Sequence, residues 1–84
     1  MLYESSPDLA TKAPLHIAAH RERLQEFHAR GTLLMSGPFS DPREGAMGIF
    51  TTREAAEEFA SGDPFVVNGV VQKWHIREWV EVLA

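Results

Sequence analysis

One segment, residues 14–30, constrains the fold more than any other part of the chain, because it has the pattern of a long amphipathic helix. Ile17, Leu24 and Phe27 are spaced so that a helix brings them to one face. His20 falls in the middle of that apolar face. An ionisable imidazole, where a leucine would pack equally well, is therefore the first candidate for a functional residue.

The residues around this segment suggest where the helix begins and ends. Pro14 is expected in the first turn, where its missing N–H removes no hydrogen bond. Gly31 is expected just after the last turn, because glycine readily adopts the left-handed conformation that ends many helices. Before the helix, residues 5–12 are predicted to be a loop and residues 1–4 a short strand.

The chain after the helix predicts a β-hairpin. Residues 32–39 and residues 46–50 have the apolar and β-forming character of two strands. Between them, residues 41–45 contain the aspartate, proline and glycine that are typical of a turn. The two strands are therefore expected to pair antiparallel.

A second helix is predicted from the run TTRE, which has the form of a capping box. In this interpretation the Thr51 hydroxyl accepts a hydrogen bond from the Glu54 N–H, and the helix ends near Ala60. Asp63 then stands at the N-cap of a further short helix, with Pro64 in its first turn.

A last strand is predicted over residues 70–83, which completes a β-α-β-β-α-β order. This order is typical of the ferredoxin-like α+β fold, in which two helices cover one face of a four-stranded antiparallel sheet. Apolar side chains occur at both parities of the strands, for example at Leu33, Leu34, Met47 and Phe50. A half-solvated sheet should alternate more cleanly, so the bare face is expected to pack on a second copy or to form a pocket.

Composition restricts the kind of protein. The 84 residues suit one small domain spanning residues 1–84, and the absence of cysteine excludes disulfides and thiolate metal sites. The net charge is −4 and the basic residues are scattered, so no nucleic-acid partner is expected. His16 and His20 are four residues apart but lack a third ligand at a useful spacing, so we expect neither a metal nor another cofactor.

The sequence also bears on cellular location. No run approaches the roughly 18 apolar residues that a membrane span requires. The first residues, MLYESSPD, show neither a basic segment nor an apolar segment of a signal peptide. We therefore expect a cytoplasmic protein without a membrane partner.

Several short motifs occur in an order that is similar to one known family, the YciI-like (YCII-related) proteins. They cover nearly the whole chain and are found at residues 20–24, 28–34, 36–39, 52–56, 63–66 and 69–70. The resemblance implies a ferredoxin-like fold that pairs through the open face of its sheet into a dimeric α+β barrel. It also implies a site formed by a helix histidine and the aspartate of an Asp-Pro-aromatic motif, which correspond here to His20 and Asp63.

Each candidate also has an ordinary structural interpretation. A histidine on an apolar face is often a core residue that bonds to the backbone, and an aspartate before proline is often only an N-cap. The residues alone leave these alternatives open for His20 and Asp63. The resemblance favours a pair in which Asp63 orients His20 and stabilises its protonated form, while the imidazole acts as general acid or base.

The remaining candidates are substrate-binding residues that would form a pocket wall: Ser36, Gly37, Pro38, Phe39 and Phe65. The ordinary interpretation of the Ser-Gly-Pro-Phe run is a chain bend at the end of a strand. No base lies near Ser36 in the sequence, so a serine nucleophile is not expected.

Together these observations suggest a small dimeric enzyme that transfers a proton on a small organic substrate, aromatic or enol-like, without a cofactor. A few members of the family are similar to lyases or isomerases of small, often chlorinated, ring compounds, while most have no established substrate. Two alternatives remain: a non-catalytic ligand-binding or regulatory module, and a dimeric interaction domain in which the His–Asp contact is only structural. Fold alone does not decide between them.

Overall fold

The computed structural model describes residues 1–83 and contains four strands, three α-helices and one 3₁₀ helix. The elements in chain order are β1 (Leu2–Ser5), α1 (Leu9–Ala29), β2 (Leu33–Pro38), the 3₁₀ helix (Pro42–Glu44), β3 (Ala46–Phe50), α2 (Arg53–Gly62), α3 (Pro64–Val67) and β4 (Val71–His75).

The strands form one antiparallel sheet in the order β2-β3-β1-β4. This is the ferredoxin-like α+β arrangement that the sequence predicts, so the predicted fold class is confirmed. The expected pairing of two such sheets in a dimer stays a prediction.

The core lies between the sheet and the helices. Its buried members are Tyr3 from β1, Phe27 from α1, Leu33 from β2, Phe59 from α2 and Val71 from β4. The rings of Phe27 and Phe59 meet edge to face, with centroids 5.2 Å apart. Aromatic pairs of this geometry add to the free energy gained by burial alone, so they help to fix α1 against α2.

Helix α1 begins earlier than predicted. It starts at Leu9, so the expected loop over residues 5–12 is wrong for its second half, and Pro14 lies inside the helix instead of in its first turn. The N–H groups of Thr11 and Lys12 bond to the Asp8 carbonyl, which closes the first turn ahead of the proline. Proline costs helix α1 one backbone hydrogen bond, and the helix-forming residues on both sides tolerate that loss.

The start of α2 also differs from the prediction. Thr52, and not Thr51, is the N-cap, and its hydroxyl accepts a hydrogen bond from the Ala55 N–H at 3.1 Å. The Thr51 N–H bonds instead to the Thr32 carbonyl at 2.9 Å, which extends the hairpin by one residue. The helix then continues to Gly62, beyond the predicted end.

Strand β4 is much shorter than the predicted strand over residues 70–83. It ends at His75, which pairs with Leu2. Strand β1 begins at that same Leu2, so residues beyond His75 have no strand partner on this edge. Trp79 and Val82, which the apolar alternation over residues 70–83 predicts to lie in this strand, are exposed.

A bulge in β2 changes which side chains face the helices. Leu33 pairs with Phe50 and Met35 pairs with Ile49, so Leu34 is an extra residue between them. Leu33 and Met35 therefore point to opposite faces, although their spacing predicts the same face. Leu33 is 3 % exposed and Met35 is 66 % exposed.

The face of the sheet away from the helices is open. We call it the open face and define it by Leu2, Met35, Met47 and Ile49, with the bulged Leu34 at its side. Within residues 1–83, no helix is both long enough and apolar enough to cross a membrane. The expected cytoplasmic location stays a prediction.

Candidate functional site

A cavity of about 500 Å³ lies between α1 and the helix-covered face of the sheet. Its wall is mostly apolar, with Ile17 and Leu24 from α1 facing Ala46 and Phe50 from β3. Cavities of this size and character are typical of sites for small organic molecules. The cavity is therefore the place where a functional side chain would meet a ligand.

His20 is part of the wall of this cavity and is held in place on several sides. Its Nδ1 lies 2.7 Å from Oδ1 of Asp63, and its side chain is 14 % exposed, whereas that of Asp63 is fully buried. The Phe65 ring stacks on the imidazole at 3.9 Å, with only 2° between the ring planes. These contacts fix the orientation of the imidazole.

Asp63 is the centre of the polar part of the site. It is the N-cap of α3, and its Oδ1 accepts a hydrogen bond from the Phe65 N–H at 3.1 Å as well as the bond from His20. Its Oδ2 accepts a hydrogen bond from the Tyr3 hydroxyl at 2.7 Å. A carboxylate with three donors has its hydrogen-bonding capacity well satisfied despite complete burial, as a buried charge requires. The capping and pairing roles of Asp63 thus coexist on one side chain.

Tyr3 connects this centre to the sheet. Burial, followed by the negative charge of Asp63 and their hydrogen bond, raises the pKa of Tyr3 far above its ordinary value, so its hydroxyl stays a donor. Gly45 allows the neighbouring strand to approach, because a Cβ there would lie 1.9 Å from the Tyr3 carbonyl oxygen. Gly45 also has a φ of +109°, a conformation that residues with a side chain rarely adopt.

The hydrogen bonds determine which imidazole nitrogen remains for chemistry. Because an ionised carboxylate can only accept, Nδ1 of His20 is the nitrogen that donates to Asp63. In the neutral imidazole, Nε2 is then unprotonated and has a lone pair available to a molecule in the cavity. The arrangement suits a base that becomes an imidazolium beside a carboxylate.

Two comparisons with known proteins identify the family of the chain. A model of the YCII-related domain matches residues 1–80. The chain is 35 % identical to Protein YciI of Escherichia coli O6:H1 over an alignment of 77 residues, which covers 76 % of each chain, and Protein YciI of Shigella flexneri matches equally well. The chain belongs to the YCII-related family.

The other predicted residues of this YCII-related domain lie in two places. Ser36, Gly37 and Pro38 line the cavity on β2, opposite α1, and Phe65 lines it beside His20. The bulge in β2 is what brings Ser36 to this face, since Ser36 pairs with Gly48. Phe39, which follows β2, lies outside the cavity wall and is partly exposed.

The remaining histidines of this YCII-related domain lie outside the site. His28 has its Nδ1 2.9 Å from the Leu33 carbonyl oxygen, which is a structural contact at the end of α1. His16 and His75 do not line the cavity. Within the described part of the chain, residues 1–83, no three His, Asp or Glu side chains are grouped so that they could hold a metal ion.

Sequence reasoning missed two residues of the site, Tyr3 and Arg21. Tyr3 is the only tyrosine in the chain and occupies an inward position of β1, but nothing in its local sequence indicates a contact with Asp63, 60 positions away. Arg21 lies in the wall of the cavity next to His20. Its position directly after the candidate histidine is the signal in the sequence that could have identified Arg21 as part of the site.

Proposed function

We propose that this YCII-related chain is a cofactor-independent lyase or isomerase in which His20 and Asp63 transfer a proton on a small organic substrate. The observation that carries the proposal is the 2.7 Å contact between Nδ1 of His20 and Oδ1 of Asp63, made by a histidine in the wall of a 500 Å³ cavity. A positioned imidazole backed by a carboxylate is a common general acid–base pair.

The proposed reaction begins at Nε2 of His20. This nitrogen removes a proton from a carbon or hydroxyl group of the bound substrate, and the imidazolium that forms is stabilised by Asp63. The hydrogen bonds from the Tyr3 hydroxyl and the Phe65 N–H keep Asp63 from turning away. Return of the proton to another atom of the substrate completes an isomerisation, and its delivery to a leaving group completes an elimination.

The apolar wall contributes to the same chemistry. Ile17, Leu24 and Phe50 exclude water around the substrate, which strengthens the electrostatic interactions of the imidazolium. Ser36 lies in the wall on β2, and its hydroxyl is the side-chain donor we assign to an enol or carbonyl oxygen of the substrate. We assign no nucleophilic role to Ser36.

Proton transfer can be tested before the natural substrate is known. A panel of cyclic enols and β-keto lactones is incubated with the protein in D₂O, and loss of the acidic C–H signal is followed by proton NMR. The wild-type chain is expected to accelerate exchange of at least one compound. His20→Gln should lower that rate by about 10²–10⁴-fold, the usual contribution of a general acid or base.

Matched variants separate catalysis from other roles. His28→Gln removes a histidine from the same helix but outside the cavity, so its exchange rate should equal that of the wild type. Asp63→Asn keeps the size of the side chain and removes its charge, so it should slow exchange while ligand binding persists. Binding of a panel compound without any exchange in the wild type would instead favour the non-catalytic ligand-binding module.

We also propose that two copies associate through the open face of the sheet. Met35 and Met47 are exposed there, and the partly exposed Leu2 and Ile49 lie beside them. Adjacent apolar side chains on an uncovered sheet are typical of an interaction surface. A small domain without disulfides also gains stability by association.

A further inference from the structure

Among the side chains of residues 1–83 that line the cavity there is one formal cation and no formal anion; the N-terminal ammonium of Met1, which also lines it, already donates to the Gly48 carbonyl oxygen at 2.7 Å. Arg21 lines the cavity, whereas none of the lining residues, all within residues 1–83, is aspartate or glutamate. The chain as a whole has a net charge of −4, so this local excess of positive charge runs against the overall composition. Asp63 lies behind His20 and outside the wall, with its oxygens already engaged.

Arg21 differs from Arg23, two positions later on the same helix. The Arg23 guanidinium donates to the carbonyl oxygens of Phe59 and Glu58 at 3.1 and 2.8 Å, and it lies 4.8 Å from the centre of the Phe27 ring. Arg23 is thus a structural link between α1 and α2. Within the described residues, Arg21 has neither a hydrogen bond nor an ion pair of its side chain.

We infer that Arg21 binds the carboxylate of a small substrate whose apolar body fills the cavity beside His20. The inference deepens the proposed function and rests on it for the role of His20. A guanidinium presents a planar set of donors that matches both oxygens of a carboxylate. One cationic side chain without a partner among residues 1–83, beside an apolar wall, suits a monoanion with a hydrocarbon ring, and the carboxylate then holds the ring next to Nε2 of His20.

Benzoate and benzamide are suitable probes, because they have the same ring and nearly the same shape but differ in charge. Binding is measured by chemical-shift changes of backbone amides in the ¹⁵N-labelled full chain. Benzoate is expected to bind the wild type about tenfold more tightly than benzamide, or better, and to shift the amides of cavity residues such as Ile17 and Gly48. Added salt should weaken benzoate binding more than benzamide binding.

Three variants assign this preference to one side chain. Arg21→Gln should weaken benzoate binding about tenfold and leave benzamide binding unchanged, and Arg21→Lys should give an intermediate affinity because it keeps the charge but loses the planar donors. Arg53→Gln removes the same charge from an exposed residue that is not in this cavity wall, so it should bind benzoate like the wild type.

The outcomes separate this inference from the proposed function. Equal affinity for benzoate and benzamide, unchanged benzoate affinity in Arg21→Gln, shifts confined to residues outside the cavity, or no binding of benzoate would each overturn the role of Arg21. Exchange that depends on His20 would still stand in those cases. Benzoate binding that depends on Arg21, without exchange of any compound in D₂O, would retain the anion site and contradict the proton-transfer proposal.

Discussion

Both faces of the sheet carry large apolar side chains, but helices cover only one of them. On the covered face, Tyr3 and Leu33 are buried against Phe27 of α1 and Phe59 of α2. On the open face, Met35 is 66 % exposed and Met47 44 % exposed, and Leu2 and Ile49 are half-buried. The same strands thus build a core on one side and leave an uncovered surface on the other.

The polar groups of the two faces differ as well. The covered face contains the buried Asp63 carboxylate, and the Tyr3 hydroxyl from β1 reaches it. The open face has Glu4 and Lys73, which pair across β1 and β4 and are exposed to solvent. Burial makes a polar group costly unless it is bonded, so only the covered face requires a complete hydrogen-bond network. Substitutions in the candidate site on that face should therefore also change the free energy of unfolding.

The largest effect on the free energy of unfolding should come from removing a ring that packs on the covered face. Phe59→Ala is expected to lower the free energy of unfolding by about 3–5 kcal/mol, because Phe59 is 2 % exposed and contacts both Phe27 and Phe50. Met35→Ala on the open face should change it by about 0.5 kcal/mol or less at concentrations where the chain is monomeric. Denaturant unfolding followed by circular dichroism measures both values.

Equal losses in the two variants would contradict the distinction between the faces. Phe59→Ala could leave too little stability for an unfolding curve, since small domains have only about 5–15 kcal/mol in total. Phe59→Leu then supplies a smaller loss that can still be compared with Met35→Ala.

The sequence predicts where the helices and strands of this fold lie better than it predicts which side chains of a strand face the helices. The helical spacing in α1 and the turn residues before β3 are local signals, and both elements form where expected apart from the start of α1. The bulge at Leu34 is different, because it depends on how β2 meets β3. The bulge moves the side chain of every later residue in β2 to the other face of the sheet, and no local sequence pattern predicts it.

The candidate site shows the same limit. His20 is a candidate because it interrupts an apolar face, and in the structure its Nδ1 lies 2.7 Å from Oδ1 of Asp63. The contribution of Tyr3 requires knowledge that β1 meets the N-cap of α3 at Asp63, which is a tertiary contact between distant parts of the chain. The freedom of Arg21 and the anchoring of Arg23 likewise depend on the position of α2.

An intermediate effect is expected from the hydroxyl that links the covered face to the site. Tyr3→Phe leaves Oδ2 of the buried Asp63 without its donor, which should cost about 1–3 kcal/mol at pH 8. Because the pKa of Tyr3 is raised in the folded chain, the folded state keeps a proton that the unfolded state loses above about pH 10. The stability of the wild type should therefore fall more steeply above that pH than the stability of Tyr3→Phe.

The difference between the free energies of unfolding of the wild type and Tyr3→Phe should shrink by about 1.4 kcal/mol for each pH unit above 10, which is the value for one proton. Tyr3 is the only tyrosine, so ultraviolet absorption of phenolate reports this group alone. Absorption should rise only when the alkaline chain unfolds. A phenolate signal near pH 10 from the folded chain would show that the Tyr3 hydroxyl is not held by Asp63.

The smallest effect on the stability of the chain, and the most selective effect on assembly, should come from Met47→Lys on the open face. Met47 is 44 % exposed, so a lysine there can extend into water and the far-ultraviolet circular dichroism should be unchanged. In a dimer through this face the new charge would be buried without a partner, which is strongly unfavourable.

Light scattering at micromolar concentration should give twice the chain mass for the wild type and the single-chain mass for Met47→Lys. Leu15→Lys adds the same charge at an exposed residue of α1, away from the open face, so a dimer through that face should persist in it. A wild type that is already monomeric, or a Met47→Lys variant that remains dimeric, would mean that the open face is not where two copies meet.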